Sequence, residues 1–293
     1  MRYRPTDNLL DAISFLLWLL AAAGLPVAGP QAPVFVYAYL WAGPLLIVPL
    51  AYGTEWPRRY GLPAATLFML SFLIPNGWPA ALLLLPWAAL LSWWTIREWS
   101  RPDLPLFRRL APAWLIIGLA WTLADRLGWR PMDFPPLIVL LTAIHFHYAG
   151  FALSWLAGRA GLAQSWWWVL VGSVAGVAVG ITAVHRGHTG WWETVPVSML
   201  VVVAWLTARQ QWRLPGHWRQ QWSWRLSSLA LGWGMLLAGA YGWRFWWPLE
   251  WLTIPWMYAV HGSLNALGFA LPGLLGWRLA NTRSSFWDFD WSY

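Results

Sequence analysis

Thr142-Ala143-Ile144-His145-Phe146-His147-Tyr148-Ala149-Gly150 sets two imidazoles and a phenol in the middle of an apolar run over residues 135–158. A helix crosses the hydrocarbon core of a bilayer in about 20 apolar residues, so the run is long enough to span. Lipid offers the backbone no hydrogen-bond partner, so only helices and closed barrels cross it. The apolar residues here are continuous rather than alternating, which favours a helix. Similar runs occupy 9–29, 33–53, 61–75, 78–96, 107–124, 165–184, 191–208, 226–244 and 253–277. The expected fold is all-α: a polytopic integral membrane helix bundle of about ten transmembrane helices, forming a single transmembrane helical domain over 1–293. The third run is the shortest and ends at the turn signal Pro75-Asn76-Gly77.

Composition agrees. Of 293 residues, 59% are hydrophobic and 10% charged, whereas soluble domains carry about 25% charged residues. All 19 cationic residues are arginine. With the N-terminus inside and ten spans, only Arg126, Arg130, Arg186 and Arg244 fall in outer loops; the others, from Arg2 and Arg4 to Arg283, fall on the inner side. That asymmetry follows the positive-inside rule and predicts both termini to be cytoplasmic. The net charge of +8 therefore reads as membrane orientation, with the lipid bilayer and its anionic headgroups as partners and no nucleic acid. Polar connections at 97–106 and 209–225 are loop-sized, and the second is expected to lie along the inner interface.

The 31 tryptophans gather at the ends of the runs, among them Trp56, Trp78, Trp99, Trp166 to Trp168, Trp191, Trp192, Trp246, Trp247 and Trp251. The amphipathic indole favours the headgroup layer, so these form an expected aromatic belt. No cysteine is present, which excludes disulfides, thiol catalysis, iron–sulfur clusters and c-type haem attachment. No cleavable signal peptide is expected, because the first run has the length of a full span. There is no Gly-rich phosphate loop, Asp-rich diphosphate motif, zinc-protease helix or Gly-x-Ser-x-Gly elbow.

Polar groups inside a span are costly and tend to face the bundle interior. The last run carries Tyr258, His261, Gly262, Ser263, Leu264 and Asn265. With both runs entering from the outer side, His145, His147 and His261 arrive at similar depth, about 12–18 Å along their helices at 1.5 Å per residue. His261 and Asn265 share one helical face, with Tyr258 a turn earlier. His145 and His147 point about 200° apart in a regular helix; one is expected to face a site and the other to pack, unless the helix is distorted. Glu193 begins the eighth run after His185, Arg186 and His188, and can orient an imidazole, ligate or move a proton. Asp11 reads as a helix-start residue. The candidate catalytic residues are thus His145, His147, His261 and Glu193, and the candidate substrate-binding residues Asn265, Tyr258, Tyr148 and Thr142.

The segments 141–151 and 261–269 together resemble the YndJ-like family of bacterial polytopic membrane proteins. The resemblance implies a bacterial inner-membrane location and puts His145, His147, His261 and Asn265 forward as its site. The family carries a transporter label without a substrate. Three functions remain open. The first is a membrane-embedded enzyme that rearranges, cyclises or isomerises a lipophilic small molecule by histidine acid–base chemistry. The second is a transporter or proton-coupled carrier with the histidines as relay, where Pro272 is placed to break the last span. The third is a haem or copper protein with imidazole ligands. No cofactor or metal is expected for the first.

Overall fold

The computed structural model describes residues 5–29 and 32–287. They are helical and connecting, with no strand among them. The helical rods are α1 (Pro5–Ala22), α2 (Val34–Glu55), α3 (Arg58–Leu70), α4 (Trp78–Trp99), α5 (Leu106–Leu127), α6 (Pro136–Arg159), α7 (Gln164–His185), α8 (Trp191–Trp212), α9 (Trp218–Gly242) and α10 (254–287). Six of them, α2 and α4 to α8, are long and apolar enough to cross a membrane. Arg2 and Arg4, counted above, lie outside the described residues.

Three boundaries differ from the sequence expectation. α1 stops at Ala22, because Gly24 takes a φ of +149° and Pro26 follows. Most of 209–225 is helix rather than loop: α8 runs on to Trp212, and α9 starts at Trp218 behind a capping box between His217 and Gln220. α10 passes through Pro272 without a break. Proline removes one backbone donor, and a π-helical turn over Leu264–Ala270 immediately precedes it.

Contacts between rod ends sort the bundle into two faces. On one, Asp11 of α1 holds Arg58 at 2.5 Å and Arg278 of α10 at 2.9 Å. On the same face Arg108 bridges Glu55 and the fully buried Glu98. Asp11 is thus an ion-pair centre rather than a helix-start residue. On the other face the buried pair Asp125–Arg126 (2.7 Å) sits against Phe72, and Asn76 donates to the Asp125 carbonyl at 2.9 Å. Buried charges survive only when paired in this way.

Most buried apolar side chains of α1 to α10 belong to one cluster, and Ala124, Phe134 and Val139 form a second, smaller one. α2 and α6 are its most enclosed spans, with 78% and 67% of their apolar windows buried. Most of the tryptophans predicted for the belt are exposed, Trp78 and Trp247 most of all. Trp56 and Trp167 are instead interior: Trp56 packs on Tyr52, Trp87 and Trp94, and Trp167 donates to the Ser154 carbonyl.

Candidate functional site

Three rods that run in the same direction, α2, α6 and α10, leave α-geometry at their centres. π-helical turns occupy Gly43–Ile47, Phe146–Ala152, Met257–His261 and Leu264–Ala270. Such turns gather at functional sites because they release carbonyls and re-aim side chains. α2 shows the cause. Pro44 has no N–H, so it cannot bond the Leu40 carbonyl; the Gly43 N–H takes that carbonyl instead. The Tyr39 carbonyl accepts from the Tyr148 hydroxyl of α6 at 2.7 Å. The Tyr39 hydroxyl in turn meets Ser263 Oγ of α10 at 2.6 Å, and Ser263 donates to the Ala259 carbonyl. One chain of hydrogen bonds thereby joins the three rods.

Between α6 and α10, and closed on the far side by α7, α8 and α9, lies a cavity of about 240 Å³. Its wall is mainly apolar, with Ile144, Leu153, Val197, Leu200, Met235 and Phe269. Its polar groups are His145, Tyr148, Glu193, Tyr258, His261 and Asn265 of the predicted set, joined by Tyr39 and Tyr241.

His261 is held from α9. Its Nδ1 lies 2.7 Å from the Gly234 carbonyl, so Nδ1 carries the proton and donates, leaving Nε2 with the lone pair. Gly234 permits this approach: a Cβ there would stand 3.2 Å from the Asn265 amide nitrogen. Asn265 donates to the His261 carbonyl at 2.9 Å and sets its amide nitrogen 3.1 Å from Nε2. His145 is less tied: its Nε2 is buried with no hydrogen-bond partner among the described residues.

Glu193 is buried and lines the cavity, but its carboxylate is already occupied. Arg244 grips both oxygens, at 2.6 and 2.9 Å, and also donates to the Tyr241 carbonyl. A bidentate arginine occupies both carboxylate oxygens and leaves little of them for an imidazole. His185 packs on Phe134 and His188 on Trp192; neither lines the cavity.

Two predicted residues stand elsewhere. Thr142 bonds within its own helix, to the Ile138 carbonyl at 2.7 Å. His147 is fully buried on the opposite side of α6, its Nδ1 donating to the Ala143 carbonyl at 2.8 Å. Two glycines make room for the ring: a Cβ at Gly43 of α2 would meet His147 Cδ2 at 2.6 Å, and one at Gly118 of α5 would meet Nδ1 at 2.8 Å. The π-turn that begins at Phe146 therefore does not bring His147 round to His145. Among the described residues no three His, Asp or Glu side chains come together as a metal-binding group.

Tyr39, Tyr241, Gly234 and Arg244 were not singled out from sequence. The Gly43-Pro44 pair inside an apolar run was the available signal for Tyr39, since proline there must free a carbonyl. Arg244 carried a signal too, as one of the four arginines expected in outer loops.

Residues 38–269 match the family described as YndJ-like protein. A curated relative from Bacillus subtilis (strain 168), named "Uncharacterized membrane protein YndJ", is 30% identical over 175 residues. That match covers 57% of this chain and 31% of the relative, so the matched part spans about a third of the relative's length. No solved structure matches the chain.

Proposed function

The chain belongs to the YndJ-like family, and from that premise we propose that this membrane protein performs acid–base chemistry on a lipophilic small molecule in the α6–α10 cavity. The observation that carries the reading is the pair of imidazoles, His145 and His261, on one mainly apolar cavity, His145 with Nε2 free of a partner among the described residues and His261 with Nε2 met only by the Asn265 amide, which a ligand can displace. His261 Nε2 is the proton acceptor, its tautomer set by Gly234. His145 is its partner in the transfer, and the proton taken from one position of the substrate is returned at a second position. One proton removed and one supplied leaves the formula unchanged, so the reaction class is isomerisation, rearrangement or cyclisation. Asn265 and the Tyr258 hydroxyl bind a substrate oxygen. The apolar wall takes the hydrocarbon part and excludes water, as ligand pockets with few convergent polar groups do. Glu193 acts through Arg244 and Tyr241 in shaping the cavity rim, and His147 positions α6 rather than touching substrate.

The test is conversion in detergent, where no gradient exists. Purified protein is incubated with a hydrophobic extract of bacterial membranes, and the products are separated by mass spectrometry. One component changes retention at constant mass with the wild type, and does not with His145→Gln or His261→Gln. If neither substitution alters any component's conversion, the acid–base site is wrong.

A transporter is the second reading. It is favoured by the π-turns in three rods of the same direction, since carriers bind at interrupted helices. Accumulation of a component in sealed vesicles, dependent on His261 and with no conversion in detergent, assigns the cavity to transport. In either case we place both termini in the cytoplasm of a bacterial cell, with ten crossings of the inner membrane. The arginine excess on the face where Asp11, Arg58 and Arg278 meet supports that orientation.

A further inference from the structure

The stretch from α8 to the end of α9 is rich in arginine and poor in acid. From residue 194 to residue 249 the sequence holds no Asp or Glu, yet it holds Arg209, Arg213, Arg219, Arg225 and Arg244. Glu193 claims Arg244. The other four, all at the turn between α8 and α9, form no ion pair among the described residues. At other rod ends Arg58, Arg108, Arg126 and Arg278 are paired, while Arg59, Arg109 and Arg159 also form no ion pair among the described residues, so what sets this turn apart is four such arginines with no acid near them in sequence.

Beside these four, α8 and α9 leave a surface groove of about 450 Å³. Its floor is small: Ala208, Ser228 and Gly232, and a Cβ added at Gly232 meets nothing within 4 Å. Trp205, Trp212 and Trp233 wall it, all exposed. Arg209 lines its arginine-rich end. There Arg225 sets its guanidinium 5.6 Å from the Trp212 ring centre, with its Nε buried and without a partner. From Ser228 to Leu236 the groove follows α9 for about 12 Å towards the membrane interior.

We propose that this groove binds an anionic phospholipid, its phosphate at Arg209 and Arg225 and one acyl chain laid over Gly232. The chemistry is complementary at both ends. Guanidinium forks suit phosphate oxygens, indoles suit the headgroup layer, and the open apolar floor suits a hydrocarbon chain. The proposal is independent of what the α6–α10 cavity does.

The molecule contains its own control. A second surface groove, of about 490 Å³ between α7 and α8, is lined by Gly172, Gly176, Trp191 and Trp192 and by no charged residue. It offers a chain the same apolar surface but gives a headgroup nothing to bind.

Native mass spectrometry of the purified full chain tests this with phosphatidylglycerol and phosphatidylcholine of identical acyl chains. The wild type retains phosphatidylglycerol in preference. Each arginine near an anionic headgroup contributes roughly a fivefold change in affinity, so Arg209→Gln with Arg225→Gln lowers phosphatidylglycerol retention on the order of 10–30-fold, with phosphatidylcholine unchanged. Gly232→Leu fills the floor and lowers both; Gly172→Leu changes neither preference. Gel-filtration profiles and melting curves confirm that each variant is folded, and arginine variants that melt early are replaced by Arg209→Lys and Arg225→Lys, which keep the charge and most of the preference. Three results overturn the proposal: equal retention of the two lipids by wild type, displacement of phosphatidylglycerol by excess inorganic phosphate, or a dimer that Gly232→Leu dissociates. The second would assign a free-anion site and the third an interface with another copy.

Discussion

The two faces of α6 hold the same residue type and treat it in opposite ways. His145 borders the cavity; its Nε2 has no partner among the described residues, and neither has that of His147. His147, two residues on, is sealed between Gly43 and Gly118 and tied to its own helix. Both imidazoles sit in the same span at nearly the same depth, so neither hydropathy nor position distinguishes them. The neighbours do. On the His145 side the facing rods bring His261, Asn265 and Tyr258 around a space. On the His147 side they bring bare backbone, which fills the space and leaves only a packing role. A histidine inside a span is therefore informative only when paired with what the opposing helix lacks.

Rate measurements separate the two faces most widely. General acid–base catalysis by a positioned side chain is worth roughly 10²–10⁴-fold. His145→Gln or His261→Gln should lower conversion by that order per folded molecule, measured in detergent against the wild-type product. His147→Gln should leave the rate per folded molecule within about threefold, far below that range. A loss with His147→Gln as large as with His145→Gln would collapse the distinction between the faces.

The glycine cage provides the next largest effect. Gly43→Val puts a branched side chain where a single Cβ would already stand 2.6 Å from the His147 ring. Overpacking of this kind costs about 1–3 kcal/mol. The variant should melt earlier in detergent, followed by tryptophan fluorescence. Gly172→Val, on the open α7 face with nothing within 4 Å, is the matched substitution and should melt close to wild type. Equal melting temperatures would mean that the rods part freely at His147.

How much of this was readable beforehand follows from what each signal depends on. The all-helical membrane architecture came from run length and continuity, which are local properties. The convergence of His145, His261 and Asn265 followed from depth counting, because rise per residue is nearly constant and short connections fix direction. The choice between His145 and His147 was not readable, since it depends on Gly43 and Gly118, which lie about 104 and 29 residues away in the chain. The passage of α10 through Pro272 was misjudged for a related reason: a π-turn absorbs the missing donor, and no local composition announces one. Glu193 was read without its partner because Arg244 is bound to it only through the packing of α8 on α9.

His147 itself supplies a smaller test. Its one hydrogen bond, to the Ala143 carbonyl, lies within its own helix. A neutral hydrogen bond contributes about 0.5–1.5 kcal/mol net. His147→Leu removes that bond while keeping an apolar filling, so its melting temperature should fall less than that of Gly43→Val. If it falls more, His147 Nε2 has a partner of its own, such as a bridging water, and the sealed face is polar after all.

The smallest effect tests what joins the two faces. Tyr148 belongs to both: its ring lines the cavity, and its hydroxyl reaches the Tyr39 carbonyl that the Gly43-Pro44 turn leaves for it. Hydrogen bonds between membrane helices average about 0.6 kcal/mol. Tyr148→Phe keeps the ring and removes only that bond, so it should lower the melting temperature slightly and leave conversion nearly intact. The carbonyl it abandons, however, still has no donor from Gly43 or Pro44. Should the loss exceed about 2 kcal/mol, the upper range of such bonds being about 1.7, the π-turn of α2 depends on α6 for its existence. Ser263→Ala decides between these outcomes. It cuts the Tyr39 side-chain link to α10 while sparing the Tyr39 carbonyl, so a turn that needs Tyr148 in particular survives Ser263→Ala and fails with Tyr148→Phe.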